Sequence, residues 1–273
     1  MTAAKTASRP VGDAITHLLR TFKLPTAAEE LALRVTQSGH EKALPVILDV
    51  LEAEADARKD RRVQRLRHAS RLPLGKRLEA LDLKRLPADL GKQIESLCTG
   101  HFLDRAVNVL VFGLPGTGKS HAAAAIGHAL VDHGRSVLFT PTFRIVQDLL
   151  AAKKELSLPR ALKKLDAFDL LILDDIGYVQ QDQEEIEVLF TLMAERYERK
   201  SILITSNLVF SEWDRIFKNP MTTAAAIDRL VHHSKILEFD VSSYRTSKVM
   251  PTNPTERSSS RPPQKKRTRK GTK

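Results

Sequence analysis

Gly113-Leu114-Pro115-Gly116-Thr117-Gly118-Lys119-Ser120 satisfies the pattern G-x-x-x-x-G-K-[ST] at every fixed position. A mostly apolar run, residues 107–112, leads into it, and a helix-favouring stretch, residues 121–131, leads out. Strand, glycine loop and helix in that order predict a phosphate-binding loop. Gly113, Gly116 and Gly118 permit backbone conformations closed to residues with a Cβ and so turn consecutive N–H groups toward an anion, while the next helix adds its positive end. The expected ligands are ATP and Mg²⁺. Lys119 should reach the β and γ phosphates and the Ser120 hydroxyl should hold the metal, with Leu114, Pro115 and Thr117 completing the loop around the nucleotide.

The chain around the loop alternates short apolar runs with longer helical ones. Residues 107–112, 137–140, 170–173, 202–205 and 236–239 read as strands buried on both faces, which makes a parallel five-stranded sheet in an α/β sandwich. Two strand ends carry chemistry. Leu170-Leu171-Ile172-Leu173 runs into Asp174-Asp175, placing two carboxylates at the carboxyl edge of the sheet, beside the phosphate loop if the strands are neighbours. Asp174 is the expected second protein ligand for Mg²⁺, and Asp175 the group that orients and deprotonates the attacking water. The run 201–204 ends in Thr205-Ser206-Asn207; the Asn207 amide is the first choice for contacting the lytic water or the γ phosphate, with Thr205 and Ser206 as fallbacks. Arg229 and Arg245 lie farther on, and spacing does not choose between them for a role at the nucleotide.

At 273 residues the chain has room for one large domain and a smaller one. No stretch reaches the length of an apolar membrane span, residues 1–13 lack the apolar segment of a secretory signal, and Cys98 is the single cysteine. The expectation is a cytoplasmic protein with no membrane association. The formal charge of +11 is concentrated: residues 58–77 carry nine Lys or Arg against Asp60 alone, and residues 256–273 carry eight against Glu256. Both segments lack aromatic residues, so the expected partner is the backbone of duplex DNA, contacted by Arg58, Lys59, Arg61, Arg62, Arg65 and Arg67.

The domain reading is a disordered N-terminus at 1–12, a helical basic DNA- or partner-binding domain at 13–72, a linker with one short helix at 73–106, an ATPase domain at 107–248 and a disordered basic tail at 249–273. Within the helical region, Thr26-Ala27-Ala28-Glu29 has capping-box spacing, Ser38-Gly39 offers a helix stop, and Pro45 suits the first turn of the helix that carries the arginines.

Several motifs in order resemble one family. They are the phosphate loop through His121, the Leu-Leu-Ile-Leu-Asp strand with Ile176-Gly177-Tyr178, residues 194–199, Thr205-Ser206-Asn207 with Phe210-Ser211-Glu212-Trp213, Asp228-Arg229-Leu230 and Ser243-Tyr244-Arg245. From about Phe22 to Arg245 the chain is similar to IstB, the helper ATPase of bacterial insertion sequences. That family is a branch of the AAA+ P-loop ATPases close to the helicase loader DnaC and the initiator DnaA. The resemblance implies an ATPase that assembles on DNA as a homo-oligomer with ATP between subunits, remodels the DNA and directs a partner transposase to its target. It places His121 among the nucleotide-binding residues, makes Arg229 the trans-acting arginine finger and makes Arg245 the weaker candidate for a second nucleotide-sensing arginine. Two departures stand out. Asp175 occupies the position of the usual Glu, which points to slow hydrolysis, and Val241-Ser242 replaces the common Gly-Glu before Ser-Tyr-Arg. A DnaC-like helicase loader and a non-hydrolysing DNA scaffold are the alternative functions.

Overall fold

A computed structural model describes residues 10–178, 182–208, 212–213, 230–231 and 234–240. Five parallel strands form one sheet: β1 Asn108–Gly113, β2 Val137–Pro141, β3 Leu170–Asp174, β4 Ser201–Ser206 and β5 Ser234–Phe239, in the order β2-β3-β4-β1-β5. Alternate residues of each strand enter different cores, as the twofold repeat of a pleated strand requires. Val109, Val111, Ile172 and Leu203 face one core, whereas Leu110, Phe112, Leu173 and Ile204 face the other. Helix α5 (Lys119–Asp132) and α4 (Ala88–Cys98) cover the first face. Helices α6 (Thr142–Lys154), α7 (Leu158–Asp166) and α8 (Gln183–Arg196) cover the second. This three-layer arrangement explains why the strands read as continuous apolar runs.

The amino-terminal region is helical: α1 Val11–Thr21, α2 Pro25–Gln37 and α3 Leu44–Ala69, which meet around Ile15, Leu19 and Ala28. Pro45 sits in the first turn of α3, and Ser38 with left-handed Gly39 ends α2. The capping box at Thr26 does not form. Pro25 occupies the first turn and pulls the helix start two residues earlier, so Thr26 lies inside α2 and no side chain caps it.

Helix α3 belongs to two bodies at once. Its first half packs in the three-helix cluster, while Val63 and Leu66 pack on the core around α5. The stretch read as a linker also contributes to that core through Leu81, Leu86, Leu90, Ile94 and Leu97. Asp132, at the end of α5, accepts from Arg67 at 2.6 Å and Arg77 at 3.1 Å, and Phe139 N–H of β2 donates to the Ser70 carbonyl at 2.8 Å. Burial alone would raise the Asp132 pKa, but the two guanidiniums outweigh it and hold the carboxyl below its usual range. Among the described residues no helix is long and apolar enough to cross a membrane.

Candidate active site

The loop between β1 and α5 has the backbone that its glycines allow. Gly113, Gly116 and Gly118 have φ of 151°, 84° and 103°. At Gly113 the requirement is doubly strict, since a Cβ there would stand 2.6 Å from the Phe239 carbonyl oxygen of β5. The Thr117 hydroxyl donates to the Leu114 carbonyl at 2.9 Å and pins the loop from inside; Leu114 and Pro115 are exposed at its crest. The buried Lys119 ammonium donates to the Gly113 and Leu114 carbonyls at 2.7 and 2.9 Å, so the cation stands inside the curve of the loop. Ser120 follows it in the first turn of α5.

Strand order corrects one expectation. β3 is not the neighbour of β1, because β4 lies between them. The two acidic residues are nevertheless brought toward the loop, by β4 itself. Val111 pairs with Thr205, and Thr205 stands opposite the end of β3. The Thr205 hydroxyl donates to the Asp174 carboxylate at 2.6 Å and accepts from the Asp175 N–H at 2.8 Å. One β4 hydroxyl therefore orients the metal-binding candidate toward the loop side and fixes the backbone of the base candidate. Thr142 at the start of α6 adds a bond to the Asp174 carbonyl at 3.1 Å. Asp175 takes a left-handed φ of 63°, which Asp tolerates better than most residues.

Asn207 stands just beyond β4. Its Oδ1 is buried and has no hydrogen-bond partner among the described residues, and it presses so close to Gly177 that a Cβ there would lie 2.3 Å away. A buried carbonyl oxygen without a donor is costly. The neighbouring Ser206 hydroxyl is committed to Leu208, donating to its carbonyl at 2.7 Å and accepting from its N–H at 3.0 Å. Fully buried Trp213 bonds the Leu208 carbonyl at 3.2 Å and packs its ring 6.1 Å from Phe112. Thus Ser206 shapes the turn and Thr205 holds the acids, while the Asn207 oxygen takes part in neither.

His121 is engaged differently from the rest of the loop. Its Nε2 is 3.0 Å from the Arg77 carbonyl, so the imidazole ties α5 to the segment after α3. Arg229 and Arg245 lie outside the described residues. So does the segment 249–273.

The residues fit a magnesium nucleotide. Oxygen donors from Ser120 and Asp174 suit a hard cation that takes one or two protein ligands and completes its shell with phosphates and water. Among the described residues no cluster of three or more His, Cys, Asp or Glu is arranged to hold a metal.

The basic stripe on α3 is less bare than its composition suggests. Arg58 and Arg61 both reach Glu54, at 2.6 and 3.1 Å, and Arg58 also lies 4.2 Å from the centre of the Phe22 ring. Arg62 donates to the Gly134 carbonyl at 3.3 Å, Arg65 to the Arg61 carbonyl at 3.4 Å, and Arg67 to Asp132. Counting acids only within 58–77 missed Glu54, one turn earlier, and Asp132, across the fold. Lys59 is exposed on the same helix.

Comparison with known proteins agrees with this geometry. The family model described as IstB-like ATP binding protein matches residues 16–250. An insertion sequence ATP-binding protein of Sinorhizobium fredii is 44% identical over 236 residues, covering 85% of this chain and 79% of the relative. An IS21 ATP-binding protein of Pseudomonas aeruginosa is 39% identical over 195 residues, 71% of this chain and 74% of the relative. Among solved structures, AMPPCP-bound DnaA from Aquifex aeolicus superposes with a TM-score of 0.52 at 17% identity, over 66% of this chain and 54% of that one. DnaI gives 0.52 at 17% identity, over 62% and 95%. At that identity the two structures speak for the AAA+ P-loop fold alone. Together with the phosphate loop and the acidic strand end, the family match makes this chain a member of the IstB-like ATP-binding family, built on an AAA+ P-loop sheet preceded by a helical region.

Proposed function

We propose that the protein is an ATP-hydrolysing transposition helper that binds duplex DNA, assembles as a homo-oligomer with ATP between subunits and directs a partner transposase to target DNA. The observation that carries the enzymatic part is the polar cluster at the carboxyl edge of the sheet, where Thr205 holds the Asp174 carboxylate and the Asp175 backbone one strand away from the phosphate loop.

In this reading Ser120 and Asp174 hold Mg²⁺, which supplies charge neutralisation for the phosphates when bound. Lys119 turns its ammonium from loop carbonyls to phosphate oxygens. Asn207 Oδ1 accepts from the attacking water and fixes its direction, and Asp175 takes the proton. Asp175 is one methylene shorter than Glu, so its carboxylate stays nearer the backbone and turnover is slow. Arg229 serves as the arginine finger of the adjoining subunit and Arg245 contacts the nucleotide from its own chain.

Support for the DNA-binding part comes from the exposed guanidiniums of α3 and from relatives named as insertion sequence proteins. Exposed ion pairs of the Glu54 kind contribute about 0–1 kcal/mol, so a phosphate competes with them readily. Phosphate release from the full chain, with and without duplex DNA, tests the reading. DNA-stimulated release that is lost in Asp175→Asn supports it; release no higher than that of Lys119→Ala under any condition removes the enzyme claim. A pull-down that recovers a replicative helicase and no transposase replaces the helper role with a loader role.

A further inference from the structure

Leu156 is 93% exposed, the most exposed large apolar side chain among the described residues. It forms the tip of the hairpin between α6 and α7. The Ser157 N–H donates to the Ala152 carbonyl at 2.8 Å and the Leu156 N–H to the Lys153 carbonyl at 3.1 Å, the paired bonds of a Schellman turn. The residue at the left-handed position of that turn is usually glycine, yet here it is Leu156, with φ of 54°. Lys23, Arg71, Ala106, Asp175 and Glu198 also take positive φ, but Leu156 alone among these presents a large apolar side chain to solvent. Folding gains nothing from a leucine there.

The flanks of the tip are cationic. Lys154, Arg160, Lys163 and Lys164 are exposed, with Glu155 as the acid among them; Lys153 is paired with Glu187 at 2.8 Å. A groove of about 700 Å³ runs between this hairpin, the edge strand β2 and the end of α3, and Arg71, Arg160 and Lys164 stand along it, with Asp148 and Glu155 on its α6 side. The cations of α7 thus continue the cationic stripe of α3 across one groove.

The geometry points to the α6–α7 hairpin as a second duplex DNA contact, in which Lys154, Arg160, Lys163 and Lys164 take backbone phosphates and Leu156 enters between base pairs as a wedge. Architectural DNA-binding proteins kink a duplex by this combination, an apolar side chain that unstacks one step and cations that hold the strands on either side. The inference rests on the proposed binding of duplex DNA and adds where the duplex is deformed and by which side chain.

The test uses the full chain with ATP and a duplex carrying 2-aminopurine, whose fluorescence rises when its base is unstacked. Wild type raises the signal. Leu156→Asn, which tolerates the left-handed turn, loses most of it while affinity falls no more than about fivefold, and Leu156→Phe keeps it. Changing Lys154, Arg160, Lys163 and Lys164 together to Gln lowers the slope of log affinity against log salt by about 3–4, as expected for the loss of four phosphate contacts. Duplex binding with full unstacking in Leu156→Asn and an unchanged slope in the Gln variant overturns this inference alone. A wild type that binds no duplex overturns the parent reading as well. Loss of transposase recruitment in the hairpin variants, with DNA binding and unstacking intact, assigns the hairpin to a protein partner and also overturns it.

Discussion

The five strands end in two contrasting ways. At their amino edge, side chains are spent on the backbone: buried Arg196 donates to the carbonyls of Leu165, Phe168, Asp169 and Ser201 at 3.0 to 3.4 Å. Asn108 there bridges the Ile202 N–H and the Leu230 carbonyl, and Asp169 accepts from the Ser136 N–H and hydroxyl. At the carboxyl edge the backbone is bent to serve side chains. Three loop glycines and Asp175 take positive φ, and the Asn207 oxygen has no donor among the described residues. Positive φ and buried polar atoms without a partner among the described residues occur at both edges, Ala106 and Glu198 and the Arg196 Nε and Ser201 Oγ atoms at the amino one, so what sets the carboxyl edge apart is the phosphate loop and the acid pair that Thr205 holds. Burial lowers the Arg196 pKa to about 10, against which Asp166 and Asp169 act, and the group remains a cation at neutral pH.

The sharpest way to break this contrast is to disturb the amino edge. Replacing Arg196 with Met leaves four carbonyls, the buried one of Ser201 among them, without their Arg196 donor and should cost about 3–5 kcal/mol of stability. Denaturant unfolding measures it, and ATP affinity of the folded fraction should not move. The complementary change, Lys119→Ala, should weaken ATP binding about a hundredfold in calorimetry while leaving the melting temperature within a few degrees. If the two variants exchange phenotypes, the division between the edges is wrong.

A finer test lies within the carboxyl edge. Gly177→Ala pushes a Cβ into the Asn207 oxygen and should lower phosphate release about tenfold or more with nucleotide affinity kept. Unchanged turnover would show that Asn207 does not position the reacting group. The smallest effect concerns the clasp between α5 and α3. Since Asp132 is held below its usual pKa in the fold, its contribution is present above the unfolded value of about 3.9 and is lost as pH falls through the folded one. The melting temperatures of wild type and Asp132→Asn should therefore differ by a few degrees at pH 7 and converge below about pH 4.

Much of the carboxyl edge was legible because its chemistry is written in consecutive residues. The glycine loop and the acid pair each occupy a few neighbouring positions, and buried parallel strands announce themselves as apolar runs. The bond from Thr205 to Asp174 was not, since it depends on which strand lies between β1 and β3, and Thr205 stood only as a fallback for another task. Arg196 stood only within the stretch 194–199 that carries the resemblance; the tertiary structure alone brings four strand and turn carbonyls to it. The arginines of α3 misled in the same manner, because an acid one turn away and another across the fold do not appear in a local charge count. Leu156 was silent because an isolated leucine between polar residues has no periodicity to mark it.

The attachments of α5 have a mechanical consequence. Its first turn is tied through His121 to the Arg77 carbonyl and its last through Asp132 to the side chains of Arg67 and Arg77. Fourteen residues of helix span about 21 Å, and the strut they form has the triphosphate cradle at one tip and the arginine-bearing arm bolted to the other. The 26-residue α3 is held to that far end through Arg67 and to β2 through the Ser70 carbonyl, so α5 joins the phosphate loop at one end to the arginine-bearing helix at the other.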